Sequence, residues 1–275
     1  MSGTDTPPSL VAPRTGTFNG AARLLDYWAT VYLRTWRATV ISSFVVPLLY
    51  ILAMGVLLGG FIEGDPAELE GATSYLAFVA PGMVAAQAMT TVFGEVTYPV
   101  ISMIKWQKVY YSMVATPLTI GDIVLAQLGF VMFRVATVSA VFLLVMSPFG
   151  VFSSVGGVVV AFFVQLLVGL AFATPIFAFT AYVMNENAFS LIFRLGMIPL
   201  FLFSGAFFPI TNLSAPMEWF ARVTPLWHGV DLTRMLVLGR VDGSAAVVHV
   251  VYLVVLAAVG WWLTVRFLSR RLVEQ

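Results

Sequence analysis

The stretch "KWQKVYYSMVATPLTIGD", residues 105–122, decides how the whole chain is read. It carries two lysines, three aromatic residues and a proline between two long runs almost free of charge. The lysines keep it out of hydrocarbon, yet Trp106, Val109, Tyr110, Tyr111, Met113 and Val114 make it too apolar for a solvated loop. A short amphipathic helix ending before Pro117 satisfies both demands, because proline disfavours helical geometry in the residue before it. Gly121 and Asp122 then open the next apolar run, with Asp122 suited to cap its first turn. On these residues alone the segment is either an interfacial anchor, with Trp and Tyr at headgroup level, or a docking surface for another protein.

The flanking runs set the class. Of 275 residues 60% are hydrophobic and only 10% charged, and the mean hydropathy is +0.96. A soluble domain carries about 25% charged residues, so this chain cannot cover itself with polar surface. Uncharged runs of about 20 residues, enough to cross about 30 Å of hydrocarbon, recur along it. The expectation is an all-α membrane protein with six spans, at about 41–61, 75–98, 123–146, 155–183, 188–208 and 245–267. Pro175 should kink or break the fourth. Residues 1–19 are polar and rich in Pro and Thr, expected as a disordered tail without the apolar core of a signal peptide, ahead of a single membrane domain over 20–275.

Sidedness follows from the basic residues. Six spans put both termini on one side, and nine Arg or Lys lie there: Arg14, Arg23, Arg34, Arg37, Lys105, Lys108, Arg266, Arg270 and Arg271. The opposite loops hold three, Arg222, Arg234 and Arg240, and the loop "EGDPAELEGATS" (63–74) holds four acids and no base. Both termini are therefore expected in the cytoplasm. Before the first span, residues 21–37 have a helical period, with Arg23, Asp26, Thr30, Arg34 and Arg37 on one arc and Trp28 among the apolar residues opposite. Such a helix lies in the headgroup plane, as an amphipathic anchor or as a mechanical part. The external stretch 209–245 contains Trp219, Phe220, Leu226, Trp227, Met235 and Leu236 and reads as one or two short helices dipping into the outer interface.

Chemistry of the chain's own is not evident. There is no cysteine, so no disulfide or thiolate metal site is expected. His228 and His249 are the only histidines and show no zinc-protease spacing, and no Gly-Lys pair exists to form a phosphate-binding loop. Any nucleotide that powers this chain must bind another polypeptide. Near-zero net charge gives no reason to expect nucleic acid. Charges inside spans are costly unless paired or wet, which singles out Glu95, Arg134 and Arg194. Arg194 can snorkel to the inner interface; Arg134 is too deep, and Glu95 is its best available partner.

Several segments together resemble the type-2 ABC exporter permeases, in particular the branch of nodulation lipo-oligosaccharide and daunorubicin-type drug exporters. They are "WQKVYYSMVATPLTIGDIVLAQ" (106–127), "LAFVAPGMVAAQAM" (76–89), "FGEVTYPV" (93–100), "FLFSGAFFPITNLSAP" (201–216) and "PLWHGVDLTR" (225–234). Each motif is loose alone; their order and spacing agree from about residue 20 to the C-terminus. The resemblance implies a complex of two permease subunits, identical or paralogous, with two cytosolic ATPase subunits that hold ATP and Mg. It makes the 105–117 loop the coupling helix, with Gln107, Lys108, Tyr111, Ser112, Ala115, Thr116 and Pro117 as contacts, and the turn Asn185, Glu186, Asn187 a smaller second contact. It implies re-entrant helices after Pro209 and an exit path between copies lined by Phe78, Met83, Gln87, Phe201, Phe203 and Phe207. The pair Trp227–His228 is closer to the lipo-oligosaccharide branch. The implied setting is a bacterial inner membrane and the implied cargo amphipathic. A secondary transporter would instead want internal repeats and acids at mid-membrane. A lipid-linked transferase would want clustered Asp, His and Lys at one interface.

Overall fold

The computed structural model describes residues 20–26, 28–30, 44–45, 48–58 and 69–274. Every regular element among them is helical. Residues 20–26 and 28–30 are helical, and Ile51–Leu58 forms a wide, π-type helix. The long elements follow: α1 Tyr75–Trp106, α3 Ile120–Met146, α4 Val155–Tyr182 and α8 Gly243–Val273. Between them lie α2 Val109–Val114, α5 Asn187–Phe203, α6 Ala215–Val223 and α7 Pro225–Leu238. The expected tail 1–19, most of the first span, Arg34 and Arg37 lie outside the described residues.

Four helices, α1, α3, α4 and α8, are long and apolar enough to cross a bilayer. Their roles differ. In its most apolar window α1 is 78% buried inside the chain and α8 only 17%, so α1 is the central post and α8 presents most of its surface outward. Small residues make α1 suitable for that place: a Cβ on Gly82 would sit 2.7 Å from the Ala206 backbone, the close approach that small residues permit between membrane helices. Two clusters of buried side chains flank it. One gathers Met89, Phe93, Phe172, Phe177 and Leu253, and the other Phe78, Met83, Phe142 and Val237.

Three expectations are corrected. The fifth stretch does not stay helical to residue 208; α5 ends at Phe203, and Gly205 turns the chain with φ +77°. Its 17 residues rise about 25 Å, short of the hydrocarbon thickness. Of the kink or break expected at Pro175, the break does not occur: α4 runs as one helix from Val155 to Tyr182. Packing holds it: Thr264 Oγ1 on α8 donates to the Thr174 carbonyl at 2.7 Å, and Gly260 lets the two backbones meet there. Asp122 is not the first cap of α3. Thr119 takes that place and Asp122 is its reciprocal partner, accepting from the Thr119 amide at 2.9 Å in a capping box. Phe78 and Met83 are interior to the chain, 0% and 3% exposed.

The external stretch does contain helices, α6 and α7. α7 packs on α1 and α4 and buries Leu226, Val230, Leu232, Thr233, Arg234 and Val237. That packing, invisible in a linear reading, sets Arg234 of α7 over the Phe78 ring.

Candidate functional site

α2 is short, yet it is fastened on several sides. Tyr110 is buried beneath it, its hydroxyl 3.4 Å from Gln127 Oε1 on α3. Tyr111 donates to the Arg271 carbonyl of α8 at 3.4 Å. Lys108, which opens the helix, adopts a left-handed conformation with φ +54°, so the chain turns sharply out of α1. Thr116 Oγ1 closes the far end on the Met113 carbonyl at 2.6 Å. On the outward side Gln107, Lys108, Tyr111, Ser112, Ala115, Thr116 and Pro117 are all exposed, with Lys105 and Trp106 beside them. The strip is a presented face on a fixed platform.

The α4–α5 linker joins it. Lys105 Nζ donates to Glu186 Oε2 at 2.6 Å. This hydrogen bond from Lys105 holds the Glu186 carboxyl below its ordinary value. Asn185 and Asn187 on either side are exposed. Arg271 ties the linker to α8: its Nη1 donates to the carbonyls of Thr180, Ala181 and Val183 at 3.1, 3.1 and 2.8 Å, satisfying groups a helix end leaves open. Between the two lies a cleft of about 290 Å³ lined by Ile104, Lys105, Lys108, Tyr111, Met184 and Arg271. Its charged lining is wholly cationic, suited to receive an acidic or carbonyl group. The helical residues 20–26 and 28–30 brace the same end: Trp28 stacks on Phe130 with ring centroids 5.3 Å apart, and Leu25 lies over Gly129. Arg23 points outward.

Elsewhere, Arg134 Nε meets Glu95 Oε1 at 2.9 Å, both about one-fifth exposed, so the expected α3–α1 partner is the one found. Arg194 is exposed, with no ion-pair partner among the described residues. Gln87, Phe201, Phe203 and Phe207 are half-buried, and Phe201 and Phe207 meet edge-to-face at 4.9 Å. Among the described residues no cluster of three or more His, Cys, Asp or Glu is arranged to hold a metal.

Two constellations at the opposite end were not anticipated. Arg234, 4% exposed, reaches Glu70 at 2.6 Å, the Gly205 carbonyl at 2.6 Å and the Phe78 carbonyl at 3.3 Å, and its guanidinium lies 3.9 Å over the Phe78 ring. The signal was available: Arg234 stands on the apolar stripe Leu226, Val230, Val237, where a lone charge needs a partner. His228 is buried rather than presented. Its Nδ1 lies 2.7 Å from His249 Nδ1, whose Nε2 lies 3.0 Å from Asp231 Oδ2. Trp227 packs edge-on against both rings at 4.9 and 5.1 Å, and Tyr252 stacks on His228 at 3.9 Å.

Residues 24–238 match the family described as "ABC-2 type transporter". About nine-tenths of the chain is similar to proteins named Nodulation protein J. That of Rhizobium leguminosarum bv. trifolii is 30% identical over 93% of this chain and 96% of the relative. That of Sinorhizobium fredii (strain NBRC 101917 / NGR234) is 29% identical over 90% and 94%, and that of Rhizobium meliloti (strain 1021) is 29% identical over 89% and 94%.

Proposed function

The chain belongs to the ABC-2 type transporter family, and from that premise we propose that it is the permease of an ATP-driven exporter for amphipathic cargo of the lipid, drug or lipo-oligosaccharide kind. It is a transport subunit of an integral membrane complex. Two cytosolic ATPase subunits, carrying ATP and Mg, act on two permease copies, identical or paralogous, in a bacterial inner membrane. The six-span reading counts the four long helices, α5 and the stretch 41–61, and both termini are cytoplasmic. α6 and α7 are the re-entrant helices that close the outward gate, and Gln87, Phe201, Phe203 and Phe207 remain candidates for the path.

One observation carries this reading: the exposed strip from Lys105 to Pro117 stands on a base tied to α1, α3, α4 and α8. A docked motor that moves this strip pushes helices directly, without a flexible loop between. ATP biases the pore only if docking is tighter in one state than in the other. An arginine at Thr116 or Tyr111 adds bulk and charge to the docking face outside the packed interior. Both variants should insert normally and co-purify less ATPase, and hydrolysis should lose its response to cargo. Wild-type transport by both would remove this strip from the mechanism.

A further inference from the structure

The end of α8 carries more cationic charge than the fold consumes. Arg271 is buried and spent on the open carbonyls of Thr180, Ala181 and Val183 at the end of α4. Arg266 and Arg270 are exposed and make no ion pair among the described residues. Trp262, Arg266 and Arg270 follow one another at one-turn steps, about 6 Å of rise each, on one face of α8. The Arg266 guanidinium lies 5.2 Å over the Trp262 ring, a stacking that orients its plane and leaves the donors at its edge free.

Arg270 lines two neighbouring hollows. One, of about 590 Å³, lies between α8 and the end of α4, walled by Tyr182, Met184, Asn185, Ala188 and Phe267. Tyr182 and Phe267 meet there with ring centroids 5.3 Å apart. The other, of about 460 Å³, runs along α8 past Trp261, Trp262, Arg266 and Ser269. Among the described residues Glu274 is the one acid lining either hollow, set against the two exposed arginines. The α4 carbonyls that would repel an anion are already taken by Arg271. Asn185 Oδ1 accepts from the Asn187 amide at 3.1 Å, so its NH2 group is left to donate. α8 turns most of its apolar surface outward, and Trp261 and Trp262 mark the level where headgroups begin.

We propose that this groove is a binding site for an anionic phospholipid, whose phosphate engages Arg266 and Arg270 while its acyl chains lie along the outward face of α8. Guanidinium forks match phosphate oxygens, and basic pockets between membrane helices hold anionic headgroups. The apolar walls receive the glycerol and the first methylenes, which a soluble phosphate does not have. Placing this lipid in the inner leaflet rests on the cytoplasmic C-terminus proposed above; the site itself does not.

The test counts lipid on the full chain alone, without an ATPase. The chain is reconstituted in bilayers of equal parts phosphatidylglycerol and phosphatidylcholine, then released intact in native mass spectrometry. The wild type should retain phosphatidylglycerol in preference to phosphatidylcholine. Attraction at a membrane surface gives about fivefold per arginine, so Arg266→Gln/Arg270→Gln should bind phosphatidylglycerol roughly 25-fold more weakly. Arg266→Lys/Arg270→Lys should keep part of the preference. Arg23→Gln removes an exposed cation from the same end but outside the groove, and should leave the preference unchanged. Sidedness is read separately. The chain has no cysteine, so an impermeant maleimide on Val273→Cys in intact cells reports where the C-terminus lies. Labelling from outside would refute that placement and leave the lipid count standing. Equal retention of both lipids by the wild type, an equal loss in Arg23→Gln, or displacement of the lipid by inorganic phosphate would each overturn the proposal.

Discussion

Arg234 sits where a guanidinium survives only by being fully answered. Glu70 supplies the charge, Gly205 and Phe78 supply carbonyls, and the Phe78 ring covers one face. The fork geometry matters, because a lysine offers a point charge and cannot span three acceptors in different directions. Arg234→Met should destabilise the chain by about 3–5 kcal/mol, and Arg234→Lys should recover only part of that. Glu70→Gln should cost less, about 1–2 kcal/mol, since Glu70 is 34% exposed where Arg234 is 4% exposed. Thermal unfolding in one detergent ranks the three. Glu95 and Arg134 were legible as a pair because both charges interrupt runs already recognised as helices, and few partners exist at that depth. Glu70 and Arg234 were not, since Glu70 was read as part of a loop and 164 positions separate them.

At the scale of elements, the crossing of α4 and α8 depends on one missing side chain. A Cβ at Gly260 would lie 2.4 Å from Thr174 Oγ1 and 2.7 Å from the Pro175 nitrogen. Gly260→Ala should therefore force the helices apart and cost about 1–3 kcal/mol. Gly94 of α1 is the control. Nothing lies within 4 Å of a Cβ there, so Gly94→Ala should stabilise by about 0.5–1 kcal/mol through helix propensity. Equal unfolding temperatures for the two alanine variants would refute the account of this crossing. Helix existence and approximate ends were readable from apolar runs and from Pro117. The early end of α5 was not, because Ala206–Phe208 resumes the apolar run directly after Ser204–Gly205, and it is the left-handed turn at Gly205 and the packing of Ala206 on Gly82 that take the chain out of the helix.

For the whole molecule, His228 predicts an acid limit. Its ordinary value of 6.5 falls to about 4 in the fold, mainly by burial. Between those values the unfolded chain binds a proton that the folded chain refuses. Stability from this group is complete above about pH 6.5 and is lost as pH falls toward 4, by about 3 kcal/mol in all. The wild type should lose that much more than His228→Gln between pH 7 and 4, measured as the difference of their unfolding curves. Parallel curves would show that the ring titrates unhindered.

The sequence by itself determined that this chain lives in a membrane, roughly where its long helices run, and that an aromatic, cationic strip between α1 and α3 must face neither lipid nor open water. These are local properties: the length of an apolar run, the spacing of charges and the position of a proline act within a few turns of helix. Only the tertiary structure decided which polar groups answer one another. Arg234 finds Glu70, His228 finds His249, and Arg271 finds the open end of α4 because packed helices bring distant residues within 3 Å or so, where hydrogen bonds form. Desolvation makes a buried charge dependent on its partner, but nothing in the linear order of residues says which partner will stand beside it.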